Sequence, residues 1–300
     1  MPSVYLQSSD YSTFGIPNAT ANQIIQSSII IDGYLQRPEG MIYSSDANGN
    51  PCYMTARIPA YSVITTGTLS PGTSVIVNVT GGTNQIQVGD VAIIDKSTPS
   101  ITEACVITAI NGQALTIQTV QFSHSIGATL DFGLTIFEEK KMPSGRPITT
   151  VSRWPVLSLL SGRGRYGYGR RSSSGNFAVN EYNLLAAITS FGGPPIWEIF
   201  DASLAGIDTN TGNLWVPAGV LLAYYTDINI WYVAGWTYAN LPYEIKQACA
   251  NVVNNFTNQP IYGDIKSLKA GDTGITFNSS SYIDANTRAM LTPYMTRTFA

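Results

Sequence analysis

The sequence is short of charge. Asp, Glu, Lys and Arg make up 12% of its 300 residues, about half the usual share of a globular protein. Lys and Arg number 16 against 19 Asp and Glu, for a net charge of −3. A dedicated nucleic-acid binder carries a basic surplus instead. Histidine occurs once, as His124. On a strand, its neighbours Ser123 and Ser125 point away from it, so neither completes a Ser-His-Asp arrangement. A lone histidine with no cysteine beside it makes no usual zinc site, and His124 is expected at the surface or in a turn. The three cysteines, Cys52, Cys105 and Cys249, are odd in number and widely spaced, which excludes a disulfide framework or zinc motif. No apolar run approaches the ~20 residues of a membrane span. The opening stretch, MPSVYLQSSDYSTFG, has neither the basic region nor the apolar run of a signal peptide. Asp and Glu are scattered, without the pairing that glycoside hydrolysis needs. No catalytic residue, metal or cofactor is expected, and the chain does not read as an enzyme.

What fills the gap is uncharged. Hydrophobic residues reach 44%, and 17 tyrosines stand among many Ser, Thr, Asn and Gly. A weakly charged surface suits subunit contacts, because charge is depleted in interface cores. The length accommodates one elaborated domain or two.

The clearest periodic stretch is late. A strand-like run, Ile228 to Gly235, ends in a glycine turn, and Pro242 then opens a helix, where its missing N–H costs nothing. Glu244 suits the positive end of that helix. Ile245, Ala248, Cys249, Val252, Val253 and Phe256 form one apolar stripe. An earlier helix begins near Asn18 or Thr20, either of which can cap it. Ala21, Ile24, Ser28, Ile31 and Leu35 share one face, while Ile25, Ile29 and Ile30 point elsewhere. Such a helix needs cover on more than one side, from its own subunit or from a neighbour.

Between the helices the pattern is β. From about Ala56 to Lys141, alternating Val75, Val77 and Val79 and closely spaced turn signals, among them Asn111-Gly112, predict a small all-β barrel or sandwich of roughly five to seven strands. Glu138 to Pro147 reads as its exit linker. Asn48-Gly49 predicts a hairpin turn, and the alternating Asp46, Asn48 and Asn50 lack the closing glutamate of a calcium loop. From Ile148 to Tyr238 the chain is again strand and loop. Gly162, Gly164 and Gly167 form a GxGxxG string, but the loop-like RRSSSGN after it excludes a dinucleotide site. Arg163, Arg165, Arg170 and Arg171 alternate there with Tyr166 and Tyr168. Those residues suit a solvated loop, a protein contact or a grip on DNA.

Several stretches together resemble the head–tail connector (adaptor) proteins of tailed bacteriophages. They are NATANQIIQSSIIIDGYL (Asn18 to Leu35), YVAGW followed by LPYEIKQAC, IKSLKAGDTGITF (Ile265 to Phe277) and DANTRAMLTPY (Asp284 to Tyr294). They cover roughly a third of the chain, at its two ends. The resemblance implies an α+β fold: a small helical connector core with β-hairpin elements, residues 1–54 and 142–300, and an inserted β domain, residues 55–141. It implies a virion protein of the neck, assembled in the host cytoplasm, in a homo-oligomeric ring that is usually a dodecamer. Its partners would be its own copies, the portal protein, the downstream neck or tail protein, and packaged DNA passing without sequence recognition; no membrane is involved. Ile29 and Ile30 would meet a neighbour. Arg163, Arg165, Tyr166, Tyr168, Arg170 and Arg171 would face a partner or the DNA channel. The tail supplies Tyr294, Met295, Arg297 and Phe299, residue types enriched where proteins dock; the other reading folds the tail back with Phe299 in the core. A tail or baseplate subunit and a carbohydrate-binding β module are the alternative functions.

Overall fold

The structure, a computed structural model, describes residues 4–45, 51–52, 61–132, 135–143, 147–165, 197–217, 225–258, 267–270, 273–276 and 282–296. In chain order the elements are α1 (Ala21–Leu35), β1 (Ser44–Ser45), β2 (Pro51–Cys52), β3 (Tyr61–Thr65), β4 (Gly72–Thr80), β5 (Val91–Ile94), β6 (Glu103–Asn111), β7 (Ala114–Val120) and β8 (Thr129–Phe132). There follow β9 (Ile136–Lys141), β10 (Ile148–Thr150), β11 (Val156–Arg165), β12 (Glu198–Phe200), β13 (Gly206–Ile207), β14 (Asn213–Trp215) and β15 (Asp227–Ala234). Last come α2 (Tyr243–Asn258), β16 (Ser267–Ala270), β17 (Thr273–Thr276) and α3 (Ala285–Leu291). The fold is mixed α+β and divides into two compact units, Met1–Ile42 with Trp236–Thr296, and Tyr43–Gly235.

The first unit is helical. Thr20 starts α1 with a capping box: its hydroxyl accepts the Gln23 N–H at 3.3 Å, and the Gln23 side chain accepts the Thr20 N–H at 2.9 Å, which satisfies two otherwise orphaned donors. Gln36 ends the helix in the left-handed region, with φ of 56°. The buried face is Ile24, Ser27, Ser28, Ile31, Asp32 and Leu35. Ala21, expected on it, is exposed, because the stripe begins one turn in from the helix start. Polar Ser27 and Asp32 are tolerated inside because each has partners: Ser27 bonds the Ile24 carbonyl at 2.8 Å, and Tyr5 donates to Asp32.

On α2 the stripe Ile245, Ala248, Cys249, Val252 and Val253 is buried, and Phe256 is half-buried against Tyr282, ring centres 4.3 Å apart. It packs on α1, where Ser27 Oγ and Cys249 Sγ lie 2.9 Å apart. Asp284 caps α3 by accepting the Thr287 N–H at 2.7 Å. The strands β16 and β17 form an antiparallel hairpin in the same unit.

The second unit holds a closed barrel of six strands in the order β3-β4-β7-β6-β5-β8, every pairing antiparallel. The arrangement of β4 to β7 is a Greek key. Side chains such as Val79, Ile94, Ile107, Leu115, Ile117 and Leu130 fill its interior. The expected hairpin at Asn111-Gly112 is the β6–β7 turn, where Gly112 takes φ of 61°, a conformation glycine adopts without cost.

Outside the barrel, β12-β11-β15-β9 form a four-stranded sheet and β10-β14-β13 a three-stranded one, over a shared core. The sequence of Glu138 to Pro147 predicts an exit linker. The structure places Ile136–Lys141 in β9, paired along its length with β15. Glu138 points inward, and its carboxylate accepts the Ser152 N–H at 3.1 Å and the Tyr232 hydroxyl, with Lys140 Nζ at 3.2 Å. Ser152 and Tyr232 stand 14 and 94 residues from Glu138, so the charged run reads as linker until they are assembled. The strands β1 and β2 pair antiparallel; Asp46, Asn48, Gly49 and Asn50, where the sequence predicts a turn, lie outside the described residues.

Candidate functional site

Three places gather chemistry-bearing side chains. The first is the end of β11. Arg163 pairs in register with Ile199 on β12 and Asn229 on β15. Its guanidinium carbon sits 5.1 Å from the Trp231 ring centre and 5.2 Å from that of Trp197. Two residues on, Arg165 lies 4.8 Å from the Trp197 ring centre and ion-pairs with Asp227 at 3.2 Å. The Phe137 ring extends the stack beyond Trp231, with ring centres 5.0 Å apart. Each cation–ring contact is worth about 0.5–2 kcal/mol, more when desolvated. Both arginines are therefore already engaged within their own unit. Tyr166, Tyr168, Arg170 and Arg171 lie outside the described residues.

The glycines of that stretch have a packing reason. A side chain at Gly162 would overlap the Phe200 ring, and one at Gly164 would overlap the Tyr225 ring. Those two rings stack on each other at 5.9 Å. The GxGxxG string thus begins as two strand positions flattened to take aromatic rings, not as a phosphate cradle.

The second place is one end of the barrel. His124, expected at the surface or in a turn, is 2% exposed and stands in an antiparallel bridge with Leu69. Its Nδ1 lies 2.7 Å from Asp95 and its Nε2 2.8 Å from Glu103. Its backbone exchanges two hydrogen bonds with Leu69, at 2.9 and 3.0 Å. Glu103 also accepts the backbone N–H groups of Gln121, at 2.9 Å, and of Phe122, at 3.1 Å. Burial pulls the imidazole pKa down, but the hydrogen bonds and charges of Glu103 and Asp95 outweigh it, and the pKa is raised. The two carboxylates sit on opposite ring nitrogens, so the three groups cannot converge on one ion. Among the described residues no His, Cys, Asp and Glu group could hold a metal. The arrangement ties the ends of β5 and β6 to the segments before β4 and after β7. No local motif announces it, since the partners stand 29 and 21 residues from His124. A cavity of about 20 Å³, room for one water molecule, lies behind Glu103 against Gln121, Ser161, Arg163 and Trp231.

The third place is the helical unit. Tyr5 bonds Asp32 and also accepts the Met41 N–H at 3.1 Å. Burial raises the Asp32 carboxyl to about 7, with the Tyr5 bond and Arg37 opposing and Glu39 reinforcing. Of the residues expected at an interface, Ile29 is 52% exposed and Ile30 is half-buried against the unit's core. Tyr294 and Met295 pack on that same core, Tyr294 edge-on to Trp236 at 5.7 Å. Thr296 bonds the Leu35 carbonyl through its N–H and its hydroxyl, at 3.2 and 2.9 Å. The tail therefore folds back on its own unit at least to Thr296. Arg297 and Phe299 lie outside the described residues.

The described residues define a mixed α+β protein with a closed six-stranded barrel and three helices. No family model, curated protein or solved structure matches the chain. Among the described residues no helix is long and apolar enough to cross a membrane.

Proposed function

We propose that the chain is an adaptor subunit of a tailed bacteriophage neck. Copies form a ring that joins the portal to the next neck or tail component and surrounds the DNA channel. One observation carries the reading. The stretches that resemble connector proteins stand at opposite ends of the sequence, yet Ile24 and Ile31 of the first share one core with Ile245, Ala248, Cys249 and Leu291 of the later ones. The intervening barrel keeps a core of its own.

The outer face of α1 supports a ring contact. Asn22, Gln26, Ile29 and Gly33 are exposed, and none is charged. A neighbour can cover such a face without stripping water from an ion. In this reading Tyr294 and Met295 hold the tail to its own subunit, and contact with the portal falls to Arg297 and Phe299.

The barrel is an insertion in this reading. Its first and last strands pair directly, Tyr61 opposite Phe132. The ends of the segment are therefore adjacent, as an insertion into a folded core requires.

The test is co-sedimentation of the purified chain with the portal of the same phage. The native chain sediments with the portal, and removal of Arg297 to Ala300 reduces the bound fraction at least tenfold with the melting curve preserved. A native chain that stays in the supernatant at micromolar concentrations overturns the proposal.

A further inference from the structure

Asp95 follows β5 in a conformation that few residues adopt. Its φ is 50°, in the left-handed region where a residue other than glycine is uncommon. Such a backbone is strained and persists only where its surroundings hold it. The Asp95 N–H donates to the Thr129 carbonyl at 3.0 Å, and its Oδ1 accepts the Thr129 N–H at 3.3 Å. Its Oδ2 lies 2.7 Å from His124 Nδ1. The next loop hangs from the same residue. The Asp95 carbonyl accepts the Thr98 N–H at 2.9 Å and the Thr102 hydroxyl at 2.7 Å. The Thr98 carbonyl accepts the N–H groups of Ile101 and Thr102, each at 3.0 Å. Between these anchors, Ser97 to Ser100 are exposed.

The hold of His124 on Asp95 depends on the ring's proton count. Doubly protonated, the ring donates to both Asp95 and Glu103; neutral, it keeps one proton and turns a bare lone pair on one of them. The two acids differ in how they can respond. The Glu103 side chain is 2% exposed and held by the N–H groups of Gln121 and Phe122. A carboxylate so buried has no water to turn to. The Asp95 side chain is 16% exposed and can take water in place of the ring. The remaining proton therefore stays on Nε2, and the lone pair faces Asp95. Other groups surround this pair. On β6 the Cys105 thiol is kept protonated by burial and by Glu103, and Arg163 of β11 acts on that thiol. On β8 Asp131 turns to Ser62. Lys96, half-buried, follows Asp95, and Leu69, bridged to His124, is uncharged.

We propose that His124 and Asp95 form a latch at this end of the barrel: the protonated ring holds the loop 96–101 closed, and loss of its proton releases Asp95 and opens the loop. The latch is closed at acidic pH, and it opens as pH rises through the raised pKa of the ring. Release relaxes the left-handed backbone at Asp95, which favours opening once the ion pair is gone. The barrel itself stays closed, because the pairings of β5 with β6 and β8 run no further than Ile94. The latch does not rest on the adaptor reading.

The test is hydrogen exchange of the full-length chain, read by mass spectrometry from about pH 5 to about pH 9. After correction for the base catalysis of exchange, protection across Thr98 to Thr102 is expected to fall about tenfold as His124 loses its proton. Ile107, whose N–H is bonded to the Asp90 carbonyl at 2.9 Å, is expected to keep its protection. His124 is the chain's one histidine, so deuterium uptake at its ring carbon reports the titration directly, and the two midpoints should coincide. Asp95→Asn keeps a residue type that tolerates the left-handed region. Its amide can accept from the protonated ring and donate to the neutral one, so its loop is expected to stay closed across the range. His124→Gln does not titrate, removes the pH dependence as well, and serves if Asp95→Asn folds poorly. Loop protection that is flat with pH in the native chain overturns the proposal, and so does a pH dependence that survives either substitution. A loss of protection that Ile107 shares also overturns it, since that is unfolding of the barrel and not release of the loop.

Discussion

His124 Nε2 lies 2.8 Å from Glu103 Oε1, with the Asp95 carboxylate 2.7 Å from the other ring nitrogen. The doubly protonated ring gives a proton to each carboxylate; the neutral ring gives only one. Because the folded-state pKa is raised above the ordinary value of about 6.5, the contribution is full below that value and is lost as pH rises through the folded pKa. Denaturant melts at several pH values should show the native chain losing stability along that limb. His124→Ala should cost about 3 kcal/mol at pH 6, because it takes the shared cation from the buried Glu103 and the half-buried Asp95, and that cost should shrink at high pH. A cost that does not vary with pH would contradict this role.

Asp32 supplies a second pH dependence, in the helical unit. Its carboxyl stands at about 7 in the folded chain, against about 3.9 unfolded. The raised pKa favours the protonated fold, so its stabilisation is present below pH 4 and is lost as pH rises towards 7. The full span corresponds to about 4 kcal/mol. Asp32→Asn keeps an acceptor for Tyr5 and cannot ionise. It should flatten the limb between pH 4 and 7 and make the chain more stable than native at pH 8. A variant less stable than native at pH 8 would count against the assignment.

Gly162→Ala and Gly164→Ala should each destabilise the fold by about 1–3 kcal/mol, as overpacking against the Phe200 and Tyr225 rings. Phe200→Ala opens the space that a methyl at residue 162 would fill, so the double variant should lose less than the sum of the two single variants. Simple additivity in denaturant melts would mean that the ring is not what excludes the methyl.

The helices were legible because their signals are local. Thr20 with Gln23, Pro242 with the stripe from Ile245, and Asp284 with Thr287 each act within a turn or two of chain. The barrel was legible as alternation and turns, and Asn111-Gly112 marked its central hairpin. What escaped were partners brought together only by the fold. His124 has no chemical neighbour in sequence and meets Asp95 and Glu103 only when β5 and β6 are in place. Arg163 and Arg165 sit in a stretch that reads as loop, and the tryptophans that hold them, Trp197 and Trp231, are tens of residues away. The run from Glu138 to Lys141 looks solvated until Tyr232 and Ser152 arrive beside Glu138.

Replacing residues 61–132 by a short Gly/Ser linker should leave a soluble, cooperatively melting chain, because Tyr61 and Phe132 are strand partners and their neighbours need little linker to meet. Near-ultraviolet circular dichroism should retain fixed aromatic signals from the helical unit. A product without a cooperative transition would mean that the barrel is integral to the rest of the fold.

The central claim is that the helical unit builds a neck ring. Electron micrographs of the purified full-length chain, alone and mixed with the portal, test it most directly. The account predicts closed rings with a central channel wide enough for duplex DNA, stacked coaxially on the portal in the mixture. Single particles of one-chain mass that never stack on the portal would contradict it.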